Sequence, residues 1–188
     1  MQLGFHFDQR RCTGCYTCVV ACKQWNDVPA GPAFWRWVAT EEEGRFPDLW
    51  VSHLSLSCCH CYDPACIQAC PASAISKRDQ DGIVLVDREA CISGCRACRD
   101  ACPYDAPQFR DGSSKMEMCD FCLDRLEEGK RPMCVVSCPL RALDSGPMEE
   151  LRATYGGAGL APGFPDPSKT RPAIILRAKH RPCAADSP

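Results

Sequence analysis

The chain has 188 residues, a formal net charge of −2 from 22 basic and 24 acidic side chains, and 18 cysteines. A charge so close to zero favours neither nucleic acid nor an anionic membrane surface as a partner. Cysteine at this frequency indicates disulfides or bound metal, and disulfides are the weaker interpretation because residues 1–8 are too short and too mixed for the apolar part of a signal peptide. No apolar run is long enough to cross a membrane, so we expect a chain that is soluble or reaches a membrane only through a partner.

Alternation and turn residues predict the first elements. Leu3, Phe5 and Phe7 alternate with small or polar residues, which predicts a half-buried strand. The first cysteine set follows, with two, two and three residues between its members, which are Cys12, Cys15, Cys18 and Cys22. Within the spacer at 26–57, segments on either side of a polar turn at 41–47 predict a β-hairpin.

Two further cysteine sets lie between residues 58 and 103, and each ends in Cys-Pro. They are Cys58, Cys61, Cys66 and Cys70, followed by Cys91, Cys95, Cys98 and Cys102. Cysteines two residues apart can bind one cubane, because so short a loop keeps their sulfurs within one coordination sphere. The last cysteine of each set lies four residues further on, before a proline that turns the chain away, and in two-cluster bacterial ferredoxins that cysteine binds the neighbouring cluster. The spacing therefore predicts two [4Fe–4S] clusters, one held by Cys58, Cys61, Cys66 and Cys102 and the other by Cys91, Cys95, Cys98 and Cys70.

Two details of these sets depart from the regular pattern. Cys59 is out of register with the rest of its set, so we interpret it as a bystander thiol. The first two cysteines of the third set are separated by three residues, Ile92-Ser93-Gly94, where two are usual, which predicts a bulged loop. Between the two sets, segments 74–77 and 83–86 flank Asp81-Gly82 and predict a second hairpin.

A fourth set completes sixteen cysteines in four groups of four. Its members are Cys119, Cys122, Cys134 and Cys138, and it also ends in Cys-Pro. A short helix is predicted over 124–129, between the second and third of these cysteines. Behind the set, residues 142–144 suit a strand, and Gly146-Pro147 opens a helix that continues to about Tyr155.

The remaining residues form a C-terminal extension. Residues 156–173 are rich in glycine and proline and are expected to lie extended over a surface. Residues 174–176 suit a short apolar strand, and the polar tail behind it, which contains Cys183, is expected to be mobile.

Six segments together resemble one known family. They are residues 11–15, 60–66, 102–109, 115–122, 137–143 and 146–151, with motifs such as His-Cys-Tyr-Asp-Pro-Ala-Cys and Cys-Pro-Tyr-Asp-Ala-Pro-Gln-Phe. The chain resembles the iron–sulfur subunit of the dimethyl sulfoxide reductase family of molybdopterin oxidoreductases, the four-cluster type also found with respiratory formate dehydrogenases, nitrate reductases and polysulfide reductases. The resemblance covers roughly residues 3–156.

The resemblance implies how the outer cysteine sets pair. It implies that Cys12, Cys15, Cys18 and Cys138 hold one cluster and that Cys119, Cys122, Cys134 and Cys22 hold another, giving four [4Fe–4S] clusters. The implied fold is α+β, with two nested ferredoxin-like modules, loop-rich cluster sites and a C-terminal extension. The expected divisions are an outer module at 1–25 and 104–156, a spacer hairpin at 26–57, an inserted inner module at 58–103 and a tail at 157–188.

The resemblance also implies the function. No catalytic constellation is found, so we expect a non-catalytic electron-transfer subunit of an oxidoreductase complex, in anaerobic respiration. It would relay single electrons between a catalytic subunit with a molybdopterin cofactor (Mo or W) and a quinone-linked membrane subunit or a soluble redox partner. The chain would be peripheral to the cytoplasmic membrane through these partners, either exported with a twin-arginine partner or cytoplasmic, with no nucleic acid and no direct membrane insertion.

Three alternatives fit part of the pattern. A subunit of a hydrogenase or another non-molybdenum oxidoreductase would share the clusters and differ in its catalytic partner. Cysteine pairs also occur in zinc ribbons, but zinc sites do not call for triplets with a fourth cysteine before proline, so a zinc-binding structural module is less favoured. A free-standing electron shuttle is disfavoured by the long extension, which suits wrapping on another subunit.

Overall fold

Short strands and short helices alternate along the chain. The computed structural model describes residues 1–157 and 161–181. In chain order the elements are β1 (Leu3–Asp8), α1 (Thr17–Trp25), β2 (Arg36–Glu43), β3 (Trp50–Ser57), α2 (Ala65–Gln68), β4 (Ile75–Lys77), β5 (Val84–Val86), α3 (Ala97–Asp100), α4 (Leu123–Glu127), α5 (Met133–Val136), β6 (Leu143–Pro147), α6 (Met148–Tyr155) and β7 (Ile174–Arg177). This mixture of helices and strands agrees with the α+β class expected from the sequence. No helix in the part of the chain that is described is long and apolar enough to span a membrane.

Strand β1 is the middle strand of the largest sheet. It pairs antiparallel with β6 and parallel with β7, in the order β6-β1-β7. The strand was expected to be half-buried, and that expectation is wrong, because all six of its residues are buried. One face packs through Phe5 on Phe121, with ring centroids 4.5 Å apart, and the other stacks His6 on Tyr155 of α6, with centroids 3.6 Å apart. A strand covered on both faces and paired on both edges has no exposed side left.

Two hairpins match the sequence predictions in position. Strands β2 and β3 pair antiparallel from Arg36 opposite Ser57 to Glu43 opposite Trp50. The polar turn predicted at 41–47 is therefore too long, since the acidic residues at 41–43 still belong to the ladder. Strands β4 and β5 pair around the Asp81-Gly82 turn, where the Asp81 carboxylate accepts a hydrogen bond from the Ile83 N–H at 3.1 Å.

The C-terminal extension folds back onto the chain's own cysteine loops. Strand β7 completes the first sheet, and Ala173 and Ile175 are 0% and 1% exposed. Ahead of this strand, the Tyr62 N–H donates to the Arg171 carbonyl at 2.8 Å, and the Ala173 N–H donates to the Cys59 carbonyl at 2.9 Å. The apolar strand expected at 174–176 is confirmed as β7, and the segment ahead of it lies over the chain's own surface at residues 59–63. Residues 158–160 and 182–188, with Cys183, lie outside the described residues.

Candidate metal centres

One cavity is lined by cysteines from the first and the last of the four sets. Cys12, Cys15, Cys18 and Cys138 line it, and it encloses about 350 Å³ of space not filled by atoms. The pairing of β1 with β6 explains this meeting, because the first set begins shortly after β1 and Cys138 shortly precedes β6. Ser55 of β3 also lines the cavity.

A second cavity lies beneath the C-terminal extension. It encloses about 360 Å³, and its lining includes Cys58, Cys61, Cys66 and Cys102. Cys59 lines the same cavity, but its sulfur donates to the Ser57 carbonyl at 3.6 Å, as a protonated thiol does. The Cys58 sulfur instead accepts the His60 N–H at 3.5 Å. The His60 N–H thus gives Cys58 a hydrogen-bond donor of the kind that stabilises a thiolate.

In a third cavity, Cys70 lies with cysteines of the third set and not with the other members of its own set. Cys70, Cys91, Cys95 and Cys98 line this cavity of about 310 Å³. The extra residue of the third set is accommodated by a turn in which Gly94 has a φ of 78° and donates its N–H to the Ser114 carbonyl at 2.9 Å. A positive φ of this kind suits glycine, which has no Cβ to clash.

The four remaining cysteines are all buried. Burial, with a smaller contribution from the charges of Cys134 and Cys122, raises the pKa of Cys22 to about 12. Burial also raises the pKa of Cys119 well above its ordinary value, and Cys22, Cys134 and Cys122 again add to the rise. Geometry brings three of them together: the Met133 N–H, next to Cys134, donates to the Cys122 sulfur at 3.4 Å, and α1 with Cys22 packs against α5 with Cys134.

Four short helices each connect two cysteine groups. The cysteine pairs are Cys18 and Cys22 on α1, Cys66 and Cys70 at α2, Cys98 and Cys102 at α3, and Cys134 and Cys138 at α5. The members of each pair are four residues apart, a rise of about 6 Å along a helix. In every pair the first cysteine belongs to one group and the second to another. A helical segment of one turn thus links each group to its neighbour.

A repeated backbone turn follows each Cys-Pro. The residue three positions after the cysteine has a positive φ in all three cases: 51° at Ser73, 48° at Asp105 and 50° at Arg141. One residue later an alanine N–H points back, so that Ala74 donates to the Cys70 sulfur at 3.3 Å and Ala142 donates to the Cys138 sulfur at 3.2 Å. Such N–H···S bonds are among the factors that set the potentials of iron–sulfur clusters. The shared Cys-Pro-x-x-Ala pattern is a signal from which sequence reasoning could have found this turn.

The cavities fit a group of several atoms better than a single ion. Four thiolates around a zinc ion lie about 2.3 Å from it, which leaves no cavity between them. Within residues 1–157 and 161–181, no three His, Cys, Asp or Glu side chains are grouped as one bound metal ion requires. Pockets in which four or five cysteines surround unfilled space suit an iron–sulfur cubane.

Thr170 of the extension contributes a hydroxyl to the second cavity. Its side chain is 2% exposed and lines the cavity, and its Oγ1 lies 2.8 Å from the Tyr104 Oη. Burial is the main reason that the pKa of Cys61 is raised to about 11, and the nearby Thr170 hydroxyl acts against that rise. Sequence reasoning missed this residue because it lies about a hundred positions from the cysteines it approaches.

Comparisons with known proteins show which class of protein this is. The sequence model described as a 4Fe-4S dicluster domain matches residues 50–148, which defines this as an iron–sulfur protein of the dicluster ferredoxin type. The sequence is 45% identical over 185 residues to one of the chains of the anaerobic dimethyl sulfoxide reductase of Escherichia coli (strain K12), covering 94% of the present protein and 88% of the relative. It is 43% identical to an anaerobic dimethyl sulfoxide reductase chain of Haemophilus influenzae, covering 94% and 89%. It is also 38% identical over 161 residues to a sulfite dehydrogenase subunit of Allochromatium vinosum, covering 75% and 67%.

The protein belongs to the family of iron–sulfur subunits of dimethyl sulfoxide reductase-type oxidoreductases. The resemblance drawn from its motifs is thereby confirmed. It is an electron-transport subunit of the 4Fe-4S type.

Proposed function

We propose that the chain holds four [4Fe–4S] clusters and relays single electrons between a molybdopterin catalytic subunit, with Mo or W, and a quinone-linked membrane subunit or a soluble redox partner. The observation that carries the proposal is that three separate pockets are each lined by four or five cysteines, drawn in every case from two of the four sequence sets. The clusters, when bound, supply one-electron redox chemistry. The chain's own residues hold them, exclude water and donate hydrogen bonds to their sulfurs.

The proposed ligands follow the cysteine groups. They are Cys12, Cys15, Cys18 and Cys138 for the first cluster, Cys58, Cys61, Cys66 and Cys102 for the second, Cys91, Cys95, Cys98 and Cys70 for the third, and Cys119, Cys122, Cys134 and Cys22 for the fourth. In this arrangement residues 58–103 form an inner ferredoxin module inserted into an outer module made of residues 1–25 and 104–156. Residues 26–57 are its spacer hairpin, and residues 157–188 are the tail.

The surface around the first group suits the end of such a relay. Cys15 is exposed, and large apolar side chains are exposed beside it, among them Tyr16 and Leu140 at the cavity and Val20 on α1. Helix α1 packs against α5, where Val136 is also 51% exposed. Exposed apolar side chains grouped in this way are typical of a protein interface. We propose that a partner subunit docks there, so that the chain is peripheral to the cytoplasmic membrane through its partners.

Thr170→Val is expected to lower the reduction potential of the second cluster. Thr170 lines the same cavity as Cys61, so loss of its hydroxyl removes a hydrogen-bond donor from beside that thiolate, which destabilises the more negative reduced state. We expect a decrease of up to about tenfold in the equilibrium constant for reduction, or ~59 mV for one electron. A redox titration followed by electron paramagnetic resonance measures it, and Thr170→Ser, which keeps the hydroxyl, is the control. A potential that is the same in the valine and serine variants would contradict this role.

The partner can be tested by isolating the native complex. A tagged chain, purified anaerobically from its own host, is expected to bring with it a larger subunit that contains molybdenum or tungsten. Metal analysis of that subunit measures this directly. A co-purifying subunit with nickel and neither of those metals would favour the hydrogenase alternative, and a colourless chain with stoichiometric zinc would contradict the clusters themselves.

A further inference from the structure

Arg36 is a buried cation with no carboxylate partner. It opens β2, its side chain is 2% exposed, and its guanidinium lies 4.9 Å from the centroid of the Phe5 ring. Two neutral hydroxyls accept its hydrogen bonds, Ser55 Oγ at 3.2 Å and Ser57 Oγ at 2.9 Å. Its Nε has no hydrogen-bond partner, and no carboxylate of the described residues lies within ion-pair distance of it.

A buried charge of this kind is costly unless an opposite charge lies nearby. Removing an ion from water costs several kcal/mol even after the protein relaxes, and two serine hydroxyls do not replace a counter-ion. Burial alone would lower the pKa of Arg36, but neighbouring thiols raise it above its ordinary value. In order of effect those thiols are Cys134, Cys18, Cys119 and Cys22. All four belong to the two groups that form the outer module of the proposed function.

Ser55 provides a direct route from this cation to one of those sulfurs. Since Arg36 donates to Ser55, the serine oxygen acts as acceptor and its own proton is free. The Cys18 sulfur lies 3.5 Å from Ser55 Oγ and is the group available to take that proton in a hydrogen bond. A donor that is itself bonded to a cation is polarised, which strengthens the bond it makes.

We propose that Arg36 raises the reduction potentials of the first and fourth clusters, acting through space on both and through Ser55 on Cys18. The inference rests on the proposed function, because it requires clusters at those two groups. Each reduction adds one negative charge to a cluster, and a fixed buried cation stabilises that added charge. The packing agrees with this: α1, which carries Cys18 and Cys22, contacts β2, and the Phe5 ring beside the Arg36 guanidinium packs on Phe121, next to Cys122.

Two variants distinguish the charge of Arg36 from its packing, because Arg36→Met removes the charge and Arg36→Lys keeps it. In a redox titration of the assembled protein, Arg36→Met is expected to decrease the equilibrium constant for reduction about tenfold, ~59 mV, at the first and fourth clusters, with smaller changes at the inner pair. Arg36→Lys retains the charge and is expected to keep both outer potentials near those of the unaltered chain. Single cysteine-to-alanine variants at Cys18 and Cys119 assign the outer signals.

Ser55→Ala tests the serine route separately. It is expected to lower the potential of the first cluster alone, because the Arg36 charge stays in place for the fourth. Ser52→Ala is the matched control, since Ser52 is a buried serine of the same strand whose hydroxyl has no partner among the described residues. This control is expected to leave all four potentials unchanged.

Each outcome decides for or against the role of Arg36. Lowered outer potentials in Arg36→Met support it, as does a methionine variant that fails to assemble its clusters while the lysine variant assembles them at normal potentials. Unchanged potentials in Arg36→Met, equal shifts at all four clusters, or a lysine variant that behaves like methionine would overturn it. Iron and sulfide analysis of the unaltered chain comes first, because a chain without clusters refutes the proposed function, whereas normal cluster content with unshifted variants refutes only the role of Arg36.

Discussion

A Cys70→Ala chain is expected to lose the cluster at the third cysteine group and to keep the one at the group where Cys70 stands in the sequence. The Cys70 sulfur lines the same cavity as Cys91, Cys95 and Cys98, four residues beyond Cys66, which faces the second cavity. The expected loss is one of four clusters, about a quarter of the bound iron. Iron and acid-labile sulfide per chain, measured after anaerobic purification, report it.

Paired variants show which cluster is lost. Cys70→Ala and Cys91→Ala are expected to cause the same loss singly and no further loss together, because both remove one cluster. Cys70→Ala with Cys66→Ala is expected to cause an additive loss of two clusters, since the sites are then different. Cys59→Ala is the matched control, a buried cysteine in the same region that should cost no iron. Additive losses for Cys70 with Cys91 would contradict the crossed arrangement.

Removing the clusters is expected to abolish cooperative unfolding. Helices α2, α3 and α5 have only four residues each, and isolated helices shorter than about 12 residues are marginal in water. The β4–β5 hairpin is a two-stranded sheet, which is also marginal alone. Nine of the proposed ligands are themselves buried, so without clusters much of the interior consists of unligated thiols. The free energy that folds these segments would then come largely from metal binding, as it does in zinc fingers.

Circular dichroism during denaturation measures this dependence. The intact protein is expected to unfold in one steep transition, and the chain stripped anaerobically of iron and sulfide is expected to change gradually. Reconstitution with iron and sulfide should restore the steep transition, which controls for damage during stripping. A stripped chain with the same spectrum and the same steep transition would show that the polypeptide folds without its clusters.

Local sequence patterns predicted the positions of the strands and helices better than they predicted how far these elements are buried. The alternation at Leu3, Phe5 and Phe7 correctly located β1, but it indicated one exposed face. That face is covered by Tyr155 of α6, and the strand edge by residues 174–177, and neither is close in the sequence. The same limit applies to the C-terminal extension, whose glycine and proline content indicates an extended chain without indicating which surface it covers.

Spacing predicted the two inner cysteine groups for a physical reason, whereas the pairing of the outer sets came from the family resemblance. Cluster ligands must be close together, so short loops and Cys-Pro turns leave a signal in the spacing itself. Arg36, Ser55 and Thr170 leave no such signal, because each approaches its cysteine from another part of the chain. Arg36 in particular stands in a strand among tryptophans and looks like an ordinary surface residue, although the fold buries it against Phe5 and beside Ser55, which contacts the Cys18 sulfur.

The most direct test of the account is a spin count on the fully reduced chain. Electron paramagnetic resonance of the anaerobically purified protein, combined with iron and sulfide analysis, is expected to give four reducible centres, with sixteen irons and sixteen sulfides per chain. Stoichiometric zinc in place of iron, or an intact chain that saturates with two clusters, would contradict the proposal that all four cysteine groups form one electron relay.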